Sequence, residues 1–136
     1  MEMKLPDLPK QNKHKEADTG LKFRKWWQLK GKNAPYEMKD TRGTDSFPFS
    51  ELSPEQEAFA VACGTDKGVL IRVEKGTIGS PDYVGFRNTV AYIVIKFKSG
   101  MEVITIENFL HTRDTCGRKS LTYNKARNIS SLSIKI

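Results

Sequence analysis

A carboxylate and an ammonium group lie two positions apart in the segment Tyr36–Thr41, which reads YEMKDT. Side chains alternate between the two faces of a strand, so Glu37 and Lys39 share one face. A metal-dependent phosphodiesterase needs such a pair: an acid that holds a divalent cation, and a lysine that orients water or offsets charge in the transition state. The alternative interpretation is a charge pair on a solvated strand face.

The longer context of this pair carries a family resemblance. From Tyr36 to Gln56 the chain reads YEMKDTRGTDSFPFSELSPEQ. This segment resembles the central segment of RecU-type Holliday junction resolvases, members of the PD-(D/E)xK nuclease superfamily. The positions that match, in order and without a gap, are Glu37, Lys39, Thr41, Ser46, Phe47, Pro48 and Gln56. Downstream, KGVLIRVE and AYIVIKF look like the strands that follow the family's second core helix.

The resemblance implies a Mg²⁺-dependent endonuclease that acts on branched DNA, with Mn²⁺ as a substitute metal. It makes Glu37 a metal ligand and Lys39 the catalytic lysine, and it places Gln56 near the metal or the scissile phosphate. Gln56 also has a purely structural interpretation, because it lies three residues after Ser53 and would complete a capping box. A junction has two-fold symmetry and paired incisions need two active sites, so a homodimer is implied.

Nucleases of this superfamily use another acid, carried by a strand that precedes the Glu-x-Lys strand. Here no acid lies between Thr19 and Tyr36, and the upstream candidates are Glu16 and Asp18. On a helical wheel Glu16 shares a face with Phe23 and Trp27, so we expect Glu16 rather than Asp18 to be the second metal ligand. If the helix begins after Asp18, that residue is its N-cap instead.

A second stretch imitates the superfamily signature in spelling. Ser80, Pro81 and Asp82 are followed by Val94, Ile95 and Lys96. Val94 occupies the position of the metal-binding acid and cannot bind a metal, so we interpret Asp82 as a turn residue. The alternative is that Asp82 belongs to the site.

The elements that must position these residues follow from periodicity and end signals. The sequence predicts helices over Lys15–Leu29, over Pro54–Cys63 with Ser53 as its cap, and over Leu121–Asn128 with Ser120 as its cap. It predicts strands over Ala34–Thr41, Gly68–Glu74, Val90–Phe97 and Met101–Ile106, the last two as a hairpin. Residues 43–48 read as a loop.

This order predicts a single α/β domain over residues 14–136, with a central mixed sheet flanked by helices and preceded by a flexible basic arm over residues 1–13. The resemblance implies that the core is restriction-endonuclease-like. Cys63 and Cys116 lack zinc-ligand spacing and are interpreted as ordinary thiols.

The charge balance favours a polyanionic partner. Lys and Arg number 23 against 16 Asp and Glu, a net charge of +7, which is typical of nucleic-acid binders but also serves solubility alone. The basic residues that we assign to branched or duplex DNA are Arg24, Lys25, Lys30, Lys32, Arg42 and Lys119. Near the first four, Trp26 and Trp27 either stack on bases or pack in the core, which we favour for Trp27. A C-terminal cluster is either an extension of this surface or solvated; its members are Arg113, Arg118, Lys119, Lys125 and Arg127.

Composition also bears on location. The longest uncharged apolar run, Val90–Ile95, is far shorter than the roughly 20 residues of a membrane span. No apolar segment near Met1 could act as a signal sequence. We therefore expect a cytoplasmic protein without a membrane partner.

Two other functions compete with the resolvase. One is a non-catalytic nucleic-acid-binding protein that keeps the same fold and basic surface. The other is a nuclease of the same superfamily that acts on linear or flap DNA.

Overall fold

The computed structural model describes residues 2–4, 23, 27, 34–73 and 82–135, with the backbone alone at 2–4, 72–73 and 82–83. Its strands are β1 (Glu2–Lys4), β2 (Tyr36–Asp40), β3 (Ser46–Pro48), β4 (Val69–Val73), β5 (Asp82–Phe86), β6 (Tyr92–Lys96), β7 (Met101–Thr105), β8 (Ser120–Thr122) and β9 (Leu132–Lys135). Its α-helices are α1 (Pro54–Cys63), α2 (Ile106–Thr115) and α3 (Tyr123–Ile129), and Phe49–Glu51 form a 3₁₀ turn. Phe23 and Trp27 are also helical.

A mixed five-stranded sheet organises the molecule, in the order β1-β9-β7-β6-β2. Strands β2 and β6 are parallel, as are β1 and β9, whereas β7 is antiparallel to both β6 and β9. Strands β3 and β8 form a separate antiparallel pair, and so do β4 and β5. Because α1 lies in the connection between the parallel strands β2 and β6, it can cover one face of the sheet.

Each face of the sheet buries its own apolar cluster. Ile93, Ile95 and Ile104 point to the face covered by α1, α2 and α3, where Phe109 and Ala126 pack against them. The opposite face carries a second cluster, formed by Phe23, Trp27, Val94, Met101, Val103 and Ile134. Trp27 is 5% exposed, which confirms the prediction that it belongs to the core. The prediction of a single α/β domain with a mixed sheet flanked by helices is also confirmed.

Several elements differ from the sequence prediction. The last helix is capped by Thr122 rather than Ser120, because Ser120 to Thr122 pair with β3 as strand β8. The same pairing makes a strand of Ser46–Pro48, which the sequence assigns to a loop. Asp82 is the first residue of β5 and not a turn residue, since it pairs with Val73 of β4.

Helix α2 is absent from the sequence prediction. Thr105 is both the last residue of β7 and the N-cap of α2, and its hydroxyl accepts a hydrogen bond from the Asn108 N–H at 3.2 Å. Strand therefore passes into helix with no intervening Gly, Pro or polar loop to mark the change. The buried residues Ile106, Phe109 and Thr112 recur every third position, which is the signal that indicates this helix.

The structure describes only part of the predicted N-terminal arm and of the predicted first helix. Glu2–Lys4, which the sequence places in the extended arm, pair with β9 as strand β1. The other residues of the predicted arm and most of the predicted first helix lie outside the described residues. Among the described residues, no helix is long and apolar enough to cross a membrane.

Two buried groups, Cys63 and Glu102, complete the core. Both cysteines are free thiols, and burial raises the pKa of Cys63, which is consistent with an ordinary core thiol. Glu102 is fully buried in β7 and accepts a hydrogen bond from the Ser133 hydroxyl. Its Oε1 is the one buried side-chain oxygen or nitrogen without a hydrogen-bond partner in the described part of the chain.

Candidate active site

Strand β2 holds Glu37 and Lys39 on the sheet face that α1 covers. In the parallel register with β6, Glu37 pairs with Ile93 and Lys39 with Ile95, and both isoleucines belong to the cluster beneath α1. Tyr36 and Met38 pack into the opposite cluster. The predicted alternation is therefore confirmed, and the carboxylate and the ammonium lie side by side at the sheet surface.

Helix α1 begins beside this pair because its sequence carries three start signals. Ser53 is the N-cap, Pro54 occupies the first turn, and Gln56 completes a capping box. The Ser53 hydroxyl accepts from the Gln56 N–H at 3.1 Å, and Gln56 Oε1 accepts from the Ser53 N–H at 3.0 Å. Buried Ala60 and Cys63 then pack α1 onto the sheet.

The side chain of Gln56 also joins the two charged groups of β2. Its Nε2 donates to Glu37 Oε1 at 2.8 Å, and its Oε1 accepts from Lys39 Nζ at 2.9 Å. An ammonium can only donate and a carboxylate only accept, so the two partners fix which way the amide faces. The structural and the functional interpretation of Gln56 thus describe the same side chain in one conformation.

The ion pair of Glu37 and Lys39 is long and partly exposed, so both groups can bind a ligand. Lys39 Nζ lies 3.9 Å from Glu37 Oε1, and the side chains are 18% and 42% exposed, respectively. Among the described residues no group hydrogen-bonds to Glu37 Oε2. Glu37 therefore presents one carboxylate oxygen to solvent, while Lys39 keeps N–H donors beyond the one that Gln56 accepts.

The site fits Mg²⁺ through one protein ligand, the carboxylate of Glu37. Mg²⁺ is commonly held by one or two carboxylates together with waters and substrate phosphates, and the Glu37 oxygen supplies one such ligand. In the described ranges, no three His, Cys, Asp or Glu side chains cluster as a metal site. The predicted second ligands, Glu16 and Asp18, lie outside the described residues.

The shape of the site suits a substrate that lies across the surface. A cleft of about 30 Å³ between β2 and α1 is lined by Tyr36, Glu37, Gln56 and Phe59, which is room for about one water molecule or ion. A larger groove of about 460 Å³ lies at the other end of α1, lined by Val61, Val90 and Leu110 among others. That groove is apolar and contains none of the three site residues, whereas Glu37 and Gln56 line the small cleft.

The basic residues considered for DNA binding differ in their exposure and in their ion pairing. Arg42 and Lys119 are exposed, Arg42 in the loop after β2 and Lys119 just before β8. Arg113 belongs to the predicted C-terminal cluster, and its guanidinium binds Glu57 through two hydrogen bonds of 2.8 and 3.0 Å. Arg24, Lys25, Lys30 and Lys32 lie outside the described residues.

Other positions of the resemblance are structural in this molecule. Phe47 is 1% exposed and packs against Phe109. The Thr41 hydroxyl donates to the carbonyls of Thr44 and Lys96 and so holds the loop after β2 against the end of β6. These contacts hold β3 and the loop after β2 against the rest of the fold.

Comparison with known proteins does not assign this site. The chain matches no protein-family model, no curated protein and no solved structure.

Proposed function

We propose that the protein is a Mg²⁺-dependent endonuclease that resolves Holliday junctions or related branched DNA by phosphodiester hydrolysis. The observation that carries the proposal is the Gln56 amide, which holds a carboxylate and a lysine together on one strand face. The resemblance to RecU-type resolvases predicts these three residues as the site. A cytoplasmic homodimer belongs to the same proposal.

Glu37 is the metal ligand in this proposal, through the oxygen that Gln56 leaves open. A bound Mg²⁺ supplies Lewis-acid polarisation of the phosphate and a water of lowered pKa. Glu16 or Asp18 is the second ligand. By accepting the Gln56 amide proton, Glu37 keeps its carboxylate in one orientation before substrate arrives, so little reorganisation is needed during the reaction.

Lys39 stabilises the negative charge that develops on the phosphate. Its side chain is 18% exposed and its ammonium is anchored by Gln56 Oε1 at 2.9 Å, so the group is partly shielded from water and held in place. Its remaining N–H donors can bind a phosphate oxygen or the attacking water. A lysine that is anchored and partly desolvated offsets charge more effectively than a freely moving surface lysine.

Substitution of the charged pair tests this function. Glu37→Gln and Lys39→Ala are each expected to lower junction cleavage by about 10²–10³-fold, because each removes a preorganised electrostatic group. Circular dichroism should stay close to wild type, and most of the affinity for the junction should remain. Lys67→Ala, which removes an exposed cation beyond the end of α1, is the control and should cleave normally. Cleavage retained in either site variant contradicts the proposed active site.

A further inference from the structure

The loop that follows β2 holds an arginine in a conformation that arginine rarely adopts. Arg42 has φ of 58° and Gly43 has φ of 84°. Two successive residues with positive φ are typical of turns in which Asn, Asp or Gly occupies the first position, because a larger side chain is strained there. Gly43 is therefore suited to its position, whereas Arg42 is not.

The surrounding hydrogen bonds hold Arg42 in this conformation. The Arg42 N–H donates to Asp40 Oδ1 at 2.7 Å. The Thr41 hydroxyl donates to the Thr44 carbonyl, and the Thr44 hydroxyl donates to the Thr41 carbonyl at 3.3 Å. The Lys98 N–H also donates to the Thr44 carbonyl, at 2.9 Å, and ties the loop to the β6–β7 turn.

These contacts use the backbone of Arg42 but not its guanidinium. The side chain is exposed, and it forms no ion pair and no hydrogen bond within the described part of the chain. The guanidinium of Arg42 therefore contributes no contact within the described part of the chain that would offset the backbone strain. Backbone strain of this kind is concentrated at active sites and ligand-binding sites.

Arg42 lies three residues after Lys39, so the chain between them spans at most about 10 Å. Phosphates succeed one another every 3.4 Å or so along the axis of a strand of B-DNA. A strand whose reacting phosphate lies at Lys39 therefore places a neighbouring phosphate within reach of Arg42. A guanidinium binds two phosphate oxygens at once, which a lysine in the same place cannot do.

We propose that Arg42 is a fixed phosphate-binding residue that contacts the DNA backbone next to the reacting phosphate and sets the position of the strand at Glu37 and Lys39. This inference rests on the proposed function, since it takes DNA as the ligand. It adds that one arginine is kept at a cost to loop stability in order to bind a specific phosphate.

The test compares Arg42→Gly with two controls, in EDTA so that binding is measured without cleavage. Glycine relieves the positive-φ strain and removes the guanidinium, so Arg42→Gly should have an unchanged or higher Tm. Its Kd for a labelled four-way junction should rise by about tenfold, as expected for loss of a charged hydrogen-bonding group. The slope of log K against log salt should fall by about 0.9. Arg42→Lys should restore part of the affinity.

The controls separate strain and charge. Asn88→Gly acts on the other described non-glycine residue with positive φ, 50°, and should leave Kd unchanged. Lys67→Ala removes one charge elsewhere on the surface and should weaken binding much less than Arg42→Gly. Equal weakening in Lys67→Ala and Arg42→Gly, wild-type affinity in Arg42→Gly, or a clearly lower Tm of that variant would each overturn the inference. If wild-type protein shows no salt-dependent DNA binding, the proposed function itself fails, and this inference fails with it.

Discussion

The side-chain amide of Gln56 makes hydrogen bonds to three groups: the backbone N–H of Ser53, the carboxylate of Glu37 and the ammonium of Lys39. The first bond belongs to the helix cap, and the other two belong to the candidate site. Stability of α1 and geometry of the charged pair therefore depend on one residue. The two halves of the capping box provide a way to separate these contributions.

Ser53→Ala removes the hydroxyl that caps α1 but keeps the Gln56 side chain, so the free energy of unfolding should fall by about 1 kcal/mol with cleavage nearly unchanged. Gln56→Ala should lower it by about 1–2 kcal/mol and also release Glu37 and Lys39, which we expect to cost about 10²-fold in cleavage rate. Urea unfolding and single-turnover cleavage measure the two effects. Equal cleavage by both variants would show that Gln56 is only a cap.

The ionisation of Asp45, in the loop after β2, makes the stability of the fold depend on pH. The Ser99 hydroxyl donates to one of its carboxylate oxygens at 2.6 Å and the Ser99 N–H to the other at 2.9 Å. These hydrogen bonds, with the hydroxyl as the larger contribution and Lys98 nearby, lower the pKa of Asp45 below its usual 3.8. The carboxylate is thus favoured in the folded state.

Because the folded pKa lies below the unfolded one, Asp45 stabilises the fold above pH 3.8, and this stabilisation is lost as pH falls through the folded pKa. Ser99→Ala should bring the pKa of Asp45 back toward 3.8, measured by carboxyl NMR titration. The stability difference between wild type and Ser99→Ala should be present at neutral pH and smallest under strongly acidic conditions. A stability difference that grows on acidification would contradict this assignment.

At the scale of elements, the sequence predicted the helices and strands whose ends are determined by neighbouring residues. Helix α1 occupies the predicted range because Ser53, Pro54 and Gln56 specify its start within four residues. The β6–β7 hairpin was likewise predicted from its β-branched strands and the intervening turn at Ser99 and Gly100. The shared face of Glu37 and Lys39 followed from strand alternation alone.

Elements that depend on distant partners were not predicted. Strands β3 and β8 have three residues each and exist because Phe47 pairs with Leu121, 74 positions away. Strand β5 contains Gly85, which disfavours a strand, and is formed by pairing with β4. The contact between Gln56 and β2 depends on how α1 packs on the sheet. The sequence therefore indicated a capping role and a role in the site for Gln56, but not that one conformation makes both sets of contacts.

Helices α1 and α2 are linked by an ion pair of Arg113, a residue that the sequence left either on the DNA surface or solvated. Glu57, next to Gln56 in the first turn of α1, binds Arg113 of α2 in a bidentate pair in which both side chains are 31% exposed. The hydrogen bonds from Arg113 to Glu57 and to Asp114 raise the pKa of the guanidinium above its usual range. Arg113 therefore carries its charge at every relevant pH and serves the packing of these helices.

Arg113→Ala should lower the free energy of unfolding by about 0.5–1 kcal/mol, as expected for a partly exposed ion pair, without a change in the salt dependence of DNA binding. Lys119→Ala should do the opposite: unchanged stability, and a slope of log K against log salt reduced by about 0.9. Thermal unfolding and fluorescence anisotropy over a salt series distinguish the two variants. A reduced slope in Arg113→Ala would return this residue to the DNA surface.

At the scale of the whole molecule, three features favour a polyanion that extends over the surface. The chain has a net charge of +7, the cleft at Glu37 is too small to enclose a nucleotide, and Arg42 and Lys119 are exposed. An enclosed small-molecule site would need a larger pocket around the charged pair. A polymer can place one phosphate at the cleft while its neighbours contact surrounding cations.

The most direct measurement of the central claim is strand cleavage of a labelled four-way junction by the wild-type protein, compared with a flap and a linear duplex, in Mg²⁺ and in EDTA. The account predicts symmetric paired nicks in the junction that require Mg²⁺ and are absent from the other two substrates. Binding without cleavage of any substrate would contradict it in favour of a non-catalytic DNA-binding protein. Equal cleavage of the flap or duplex would contradict junction specificity and leave a nuclease of broader substrate range.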